Sequence, residues 1–143
     1  MALKRREERE YAFTMLFEAS FHKEDSREVI YESILENTDD ERIRESEYIR
    51  RIFFGVGEKE AELTERIRAS AKSWKPERIS RVSLALLMLA VYEMLFVEEV
   101  PVKIAINEAV ELCKKYDDDK APAFLNGVLR GVYRTMDPEG GEQ

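Results

Sequence analysis

The sequence predicts an all-α protein that folds as a single domain. Apolar residues recur at spacings of three, four and seven along almost the whole chain, which is typical of amphipathic helices. No segment shows an alternating pattern strong enough to predict a β-strand. The length of 143 residues suits one domain with a hydrophobic core of its own. We therefore expect about six to seven helices joined by short polar breaks.

The first half of the chain predicts three helices. The first runs from about Lys4 to Phe21, and the second starts after Ser26, a residue type that caps helix N-termini, and ends at NTDDE. A long third helix extends from near Asp40 to the segment SWKP, with a kink expected near Gly55 and Gly57. Because proline disfavours helical geometry in the residue before it and suits the first turn of a helix, SWKP predicts the boundary between two halves.

The second half predicts three more helices. One runs from about Pro76 to Phe96 and contains the longest apolar run, Leu84 to Tyr92. This run is much shorter than the about 20 residues that a membrane span needs, so it predicts a core helix. After the break EEVP, another helix starts at Pro101 and continues through VKIAINEAVELCKKY. The break DDDKAP precedes the last helix, FLNGVLRGVYR, and the acidic tail is expected to fray.

The composition restricts the function classes. A formal net charge of -7 and a pI near 5.0 argue against indiscriminate nucleic-acid binding, because neutralising many phosphates requires a broadly positive surface. Any such contact is therefore expected to be local and assisted by a partner. Cys113 and His22 are the single residues of their types, which excludes an internal disulfide and a Cys/His zinc site. The charged N-terminus lacks the apolar segment of a secretory signal, so we expect an intracellular protein.

The segment KRREERE gathers positive charge at the start of this acidic chain. On a helix that turns by about 100° per residue, Arg5, Arg6 and Arg9 project within an arc of about 100°, and the interleaved glutamates fall outside it. The arc continues toward the side of Phe13 and Leu16. We therefore expect the basic patch to lie at the edge of the packed core.

Two interpretations of this segment remain open from the residues alone. A solvated helix face would pair Lys4 with Glu8 and Arg6 with Glu10 across one helical turn. A docking site for an anion would explain two unfavourable features. Cations in the first turn oppose the helix dipole, at about 0.3–1 kcal/mol each, and the basic-before-acidic order is the poorer one for such pairs.

Glu93 is the polar residue at the end of an otherwise apolar helical segment, VYEM. A carboxylate there either reaches solvent at the helix end or meets a partner, because burying it unpaired is unfavourable. The chain has no Gly-rich phosphate loop, no nucleophile elbow and no metal-ligand spacing. We therefore expect a binding module rather than an enzyme, with no cofactor and no metal.

The last helix combines two glycines with groups that suit an unpaired nucleotide strand. Gly127 and Gly131 each lower helix stability by about 0.8–1.0 kcal/mol relative to alanine, so we expect close approach by a neighbouring helix or a ligand backbone. Phe124, Asn126 and Arg130 offer stacking, amide and cationic contacts to such a strand. Core packing is the alternative role of Phe124.

Four segments, in order along nearly the full chain, resemble the NusB family of bacterial transcription antitermination factors. They are KRREEREYAFTMLF, LAVYEM, VPVKIAINEAVELCKKY and FLNGVLRGVYR, and the pattern is most specific in P-x-K-x-A-I-N-E-A-x-E-L and F-x-N-G-V-L. The resemblance implies two small helical bundles that share a core. It agrees with a boundary at SWKP, which divides the domain into residues 1–74 and 75–137, followed by a tail at 138–143.

The resemblance also implies a function. NusB-like proteins pair with NusE, a small-subunit ribosomal protein, and the pair binds boxA RNA in ribosomal RNA operons to help RNA polymerase resist termination. The implied RNA-binding residues are Lys4, Arg5, Arg6, Arg9, Phe17, Phe124, Asn126 and Arg130. Glu93 falls where the family meets NusE. We expect weak RNA affinity for this acidic chain alone and stronger binding beside a basic partner.

Two alternatives stay open at this point. NusB-like domains also occur as the RNA-binding portion of ribosomal RNA methyltransferases, and a purely structural helical adaptor would use KRREERE as a solvated face. All of these functions place the protein in the cytoplasm, without membrane contact, and its contact with the polymerase elongation complex would be indirect. An exposed part of an apolar helix could also form a homodimer.

Overall fold

A computed structural model describes residues 1–71 and 78–136, and these residues form eight α-helices without a β-strand. The helices are α1 (Arg5–Ala19), α2 (Arg27–Glu36), α3 (Glu41–Arg44), α4 (Glu47–Glu58), α5 (Glu60–Ser70), α6 (Arg81–Phe96), α7 (Val102–Tyr116) and α8 (Ala121–Met136). The all-α prediction is confirmed. No described helix is long and apolar enough to cross a membrane.

The apolar helix α6 lies at the centre of the fold. It packs against α1, α4, α5, α7 and α8, and its residues Leu86, Leu87 and Leu89 have no exposed surface. One continuous cluster of buried side chains includes residues from all eight helices. A single core therefore joins the first and the last described helix, as expected for one domain.

The long third helix predicted from Asp40 onward is wrong, because that segment forms α3, α4 and α5. The Ser46 hydroxyl accepts a hydrogen bond from the backbone N–H of Ile49 at 3.0 Å and so starts α4 anew. The second break falls at Lys59, just after the two glycines of α4. Buried residues continue across both breaks, which is why the apolar spacing did not reveal them.

Most helix limits lie close to the predicted ones. Ser26 caps α2 by accepting a hydrogen bond from Val29, and Pro101 immediately precedes α7. α6 starts at Arg81 rather than near Pro76, because the Ser80 hydroxyl caps it by accepting a hydrogen bond from the backbone N–H of Ser83. The SWKP boundary, Pro76 itself and the tail at 138–143 lie outside the described residues.

Candidate functional site

Arg5, Arg6 and Arg9 lie together at one cleft of about 300 Å³, as their helical arc predicts. The cleft opens between the start of α1 and the connection from α6 to α7. Its other lining residues are Glu99, Val100, Pro101, Ile104 and Glu108. Phe13 and Leu16 are buried one to two turns further along α1, so the basic segment does lie at the edge of the core.

Arg9 and Glu93 form a buried ion pair beneath this cleft. The Nε atom of Arg9 donates to both Glu93 oxygens, at 3.0 and 2.9 Å, and the Tyr48 hydroxyl donates to Oε2 of the same carboxylate. The side chain of Arg9 is 4% exposed and that of Glu93 is fully buried. The pair therefore ties α1 to α6, and Tyr48 extends the link to α4.

Burial sets the titration of this cluster. It raises the pKa of Glu93, while the charge of Arg9 and the hydrogen bond from Tyr48 act in the opposite direction. The pKa of Tyr48 is also raised, first by burial and then by the adjacent Glu93 carboxylate. Each polar group of the cluster thus has a charged or hydrogen-bonding partner, which makes its burial tolerable.

These positions correct two expectations from the sequence. Glu93 was expected in solvent or against a partner protein, but its carboxylate has no exposed surface and is satisfied internally. Arg9 was expected to contact RNA, but its guanidinium is buried against Glu93. Burial is tolerated because the two charges are paired, a partnership that spans 84 positions of sequence and that local pattern could not predict.

Arg5 and Arg6 point outward from the same cleft. Arg6 donates from Nε and Nη2 to the two oxygens of Glu108, at 2.9 and 2.7 Å, yet its side chain is 73% exposed. The guanidinium of Arg5 lies 3.6 Å from the centroid of the Tyr48 ring, and its Nε atom donates to Glu8 at 3.1 Å. The hydrogen bond from Arg6 holds the pKa of Glu108 below its usual value.

The i,i+4 pairs of the solvated-face interpretation are not the partners found at this segment. Arg6 pairs with Glu108 on α7 rather than with Glu10. Glu10 instead accepts hydrogen bonds from Lys115 at 2.6 Å and from the Tyr116 hydroxyl at 2.5 Å. The basic segment is therefore connected to α7 at two places, and it is not a self-contained charged helix face.

Phe17 belongs to a chain of aromatic rings along α1. Its ring centroid lies 6.4 Å from that of Phe13 and 5.1 Å from that of Phe21. Phe13 in turn meets the ring of Tyr116 at 5.0 Å, edge to face. Phe17 is half-buried, so part of its ring remains on the surface near the C-terminal end of α7.

The remaining predicted residues lie on α8, which packs against α5, α6 and α7. Phe124 and Asn126 are half-buried and Arg130 is exposed; Phe124 packs against the core, as its alternative role predicted. A Cβ atom added at Gly131 would lie 3.1 Å from Cβ of Ser70, so close helix approach explains this glycine. A Cβ atom at Gly127 would meet no described residue within 4 Å, so none of the described neighbours explains that glycine.

Sequence reasoning missed the residues that organise the arginines. Tyr48 stacks under Arg5 and donates to Glu93, and Glu108 orients Arg6. Tyr48 follows a helix cap and carries no motif that sets it apart. Glu108 lies in the specific segment INEAVEL, where a carboxylate in an apolar helix was the available signal. Among the described residues, no group of three His, Cys, Asp or Glu side chains could hold a metal ion.

Fold and site together define a small helical protein with an arginine-lined cleft at the start of its first helix. The NusB family model matches residues 6–134, and the chain therefore belongs to the NusB family. It is 39% identical over 133 residues to the transcription antitermination protein NusB of Clostridium novyi, which covers 92% of this chain and 99% of the relative. The Clostridium perfringens protein of the same name is 40% identical over 129 residues, covering 90% and 95%.

Two solved structures share this fold. T. maritima NusB is 32% identical and superimposes with a TM-score of 0.83, covering 100% of both chains. A chain in the crystal structure of a plectonemic RNA supercoil is 27% identical with a TM-score of 0.75, covering 91% of this chain and 94% of that one. The NusB fold is thus shared over essentially the whole described structure.

Proposed function

We propose that this protein is an RNA-binding transcription antitermination factor. It pairs with NusE, binds boxA RNA of ribosomal RNA operons in the cytoplasm and helps RNA polymerase to resist termination, with no catalytic step of its own. The names of the curated relatives support the antitermination role, and the RNA in the structure of a 27% identical relative supports RNA binding. The observation that carries the proposal is the exposed guanidinium of Arg6 beside that of Arg5.

The charge distribution supports assisted rather than independent RNA binding. Lys4, Arg5 and Arg6 are the exposed cations at the start of α1, because Arg9 is buried. The net charge of -7 repels phosphate over the rest of the surface. A few local contacts give modest affinity and a shallow dependence on salt, so a basic partner such as NusE supplies the remaining attraction.

The proposed RNA path has two parts. One is the arginine-lined cleft, and the other is the exposed side of α8 with Phe124, Asn126 and Arg130. In this proposal, the strand follows the seam of α1 and α7, which has Glu108 at one end and Lys115 at the other. These two residues are about 10 Å apart along the helix axis at 1.5 Å per residue. Phe17 lies near the second end, where a base could stack on its exposed edge.

Arg9 and Glu93 have a different role in this proposal from the one that the sequence suggested. Their ion pair holds the first turns of α1 against α6, and it thereby fixes where Arg5 and Arg6 project. Glu93 affects partner binding only through the two helices that it joins. Both residues are positioning residues, and replacing them tests the fold rather than an RNA contact.

The direct test is a salt-titrated binding assay with four mixtures. A boxA-like single strand and a scrambled control are each titrated with this protein, with and without purified NusE. We expect boxA-selective binding that tightens when NusE is present. Arg6→Ala should lower the magnitude of the logarithmic salt slope by about one, because one phosphate contact is lost. Arg5→Ala tests the neighbouring contact in the same way.

Other outcomes would assign the protein elsewhere. Negligible binding in all four mixtures would favour a helical adaptor, and equal boxA binding with and without NusE would contradict the assisted mechanism. Binding to ribosomal RNA fragments without preference for boxA would favour the methyltransferase-type module. Light scattering of the free protein tests the homodimer, which would compete with NusE if the two used one surface.

A further inference from the structure

We propose that the arginine-lined cleft holds one unpaired nucleotide, with its base on an apolar floor and its phosphate on the outer edge of Arg6. This inference rests on the proposed function and adds a base-binding position to it. The floor consists of Val100, Pro101 and Ile104, and the rim carries Arg5 and Arg6. The volume of about 300 Å³ is that of a small cleft rather than of a groove for a duplex.

Two residues of the apolar floor, Pro101 and Ile104, are exposed, whereas Val100 is buried beneath them. Ile104 lies in the first turn of α7 and is 45% exposed, although most large apolar side chains of the described residues are buried. Covering such a surface is favourable by about 25 cal/mol per Å² of apolar area. A nucleobase has a flat, poorly hydrated face that could cover the Ile104 side chain, and stacking of this kind tolerates many bases.

The hydrogen-bond donors of Arg6 divide into an occupied and a free edge. A guanidinium carries five N–H groups, and Glu108 takes one from Nε and one from Nη2. The outer edge, formed by Nη1 and the second N–H of Nη2, faces the solvent. Glu108 is only 16% exposed, and one of its oxygens lies 3.5 Å from Nη1 of Arg9. Because Arg9 fixes Glu108, Glu108 in turn fixes the inner edge of Arg6. A phosphate can therefore bind end-on without displacing Glu108.

The same geometry favours a single strand over a duplex. Bases in a duplex stay stacked and paired, so their faces cannot reach the floor beside Ile104. In a single strand, a base can turn toward the floor while its phosphate remains at the rim. The charge of Arg9 is neutralised by Glu93, and the other lining charges are Arg5, Arg6, Glu99 and Glu108. A phosphate is therefore attracted by the exposed edge of Arg6 and not by a net charge of the cleft.

A scan with abasic nucleotides tests this inference. A boxA-like strand and a series with one abasic position each are titrated with the protein and NusE, using the wild type, Ile104→Ala and Val29→Ala. Val29 is an exposed apolar residue on α2 and serves as the matched control. For the wild type and the control, we expect one abasic position to weaken binding by about fivefold. For Ile104→Ala, the penalty at that position should nearly vanish, while the penalties elsewhere should not change.

If each abasic position weakened binding by the same factor in Ile104→Ala as in the wild type, the proposed base-binding cleft would be overturned. Weaker association of Ile104→Ala with NusE, measured without RNA and with an unchanged abasic scan, would also overturn it by assigning the cleft to a protein. Failure of the proposed function looks different, because the wild type would then bind boxA no better than the scrambled strand. If both strands bind alike, the same scan still tests the cleft. If neither strand binds, both proposals are wrong.

Discussion

At the scale of single residues, the buried ion pair of Arg9 and Glu93 separates what stabilises the fold from what is free to bind. Charged side chains are seldom fully buried unless they are paired, and here each partner satisfies the other. Arg6, three positions before Arg9, is bound on one edge and open on the other. Neighbouring arginines of one basic segment therefore have opposite roles, which residue type alone does not reveal.

Replacing Glu93 should destabilise the protein strongly. Glu93→Ala removes the fully buried partner of Arg9 and leaves only the more distant Glu108, at 3.5 Å from Nη1, so the free energy of unfolding should fall by up to about 3–5 kcal/mol. Urea denaturation followed by far-UV circular dichroism measures this. Glu98→Ala, at an exposed position in the same region, is the control and should change stability little. A Glu93→Ala variant with unchanged stability but weaker NusE binding would instead favour a direct partner contact.

For a replacement of Glu108, the change in net charge and the loss of a contact to Arg6 predict opposite changes in RNA affinity. Glu108→Gln changes the net charge by one unit toward positive, which by charge alone should strengthen RNA binding. It also removes the carboxylate that orients Arg6, so we expect RNA binding to weaken about fivefold, or about 1 kcal/mol.

Two comparisons isolate the orienting effect of Glu108. Glu111→Gln makes the same charge change one turn further along α7, at a residue that pairs with Lys114. This control should leave binding unchanged or tighten it. In an Arg6→Ala background, Glu108→Gln should lose its effect, because the side chain that it orients is gone. Tighter binding by Glu108→Gln itself would contradict the prediction.

At the scale of helices, the sequence predicted most of the helix limits but not the number of helices in the first half. The capped start of α2 and the start of α7 after Pro101 follow from local chemistry. The division of the expected long helix into three does not, because both breaks preserve the buried face and are therefore invisible to periodicity. Similarly, the arc of arginines on α1 was predictable, but their partners on α4, α6 and α7 depend on tertiary packing.

Gly127 gives a prediction for α8. Because a Cβ atom there meets none of the described residues within 4 Å, Gly127→Ala should raise the free energy of unfolding by about 0.8–1.0 kcal/mol. If the RNA backbone approaches this glycine, the same variant should bind boxA RNA more weakly despite its higher stability. Thermal melts and RNA titrations of one preparation measure both effects.

Gly131→Ala is the matched control on the same helix, since its Cβ atom would press against Ser70. It should gain less stability than Gly127→Ala or lose some, because Ser70 has to shift. Unchanged RNA affinity in a stabilised Gly127→Ala variant would show that no ligand needs this open space.

At the scale of the whole molecule, carboxylates connect helices that are distant in sequence. Glu108 and Glu10 tie α7 to α1, and Asp117 accepts hydrogen bonds from the hydroxyls of Ser80 and Ser83 at the start of α6. Asp40 caps α3, binds the guanidinium of Arg42, and accepts a hydrogen bond at 3.3 Å from the hydroxyl of Tyr11 on α1. These links surround the single apolar core and set the relative positions of the helices that form the cleft. Their protonation should therefore weaken the fold and the binding surface together.

The acid sensitivity of the protein follows from the direction of these pKa shifts. The hydrogen bond from Arg42 lowers the pKa of Asp40 to about 2, and that from Arg6 lowers the pKa of Glu108. Burial acts to raise the pKa of Glu10, but the hydrogen bonds from Lys115 and Tyr116 outweigh it, so this pKa is lowered. Burial also acts to raise the pKa of Asp117, and there the hydrogen bonds from Ser80 and Ser83 outweigh it.

A lowered folded-state pKa means that the unfolded chain binds more protons in the acid range. The stability from these four carboxyls is complete above their unfolded pKa values of about 3.9 to 4.3, and it is lost as the pH falls toward about 2. The pKa of Glu99 is lowered as well, whereas Glu93, with its pKa raised by burial, acts in the opposite direction as one group against five. Urea midpoints should therefore fall as the pH is lowered from about 5 to about 2. The fall should be smaller in Glu10→Gln, and a constant midpoint would contradict the proposed links.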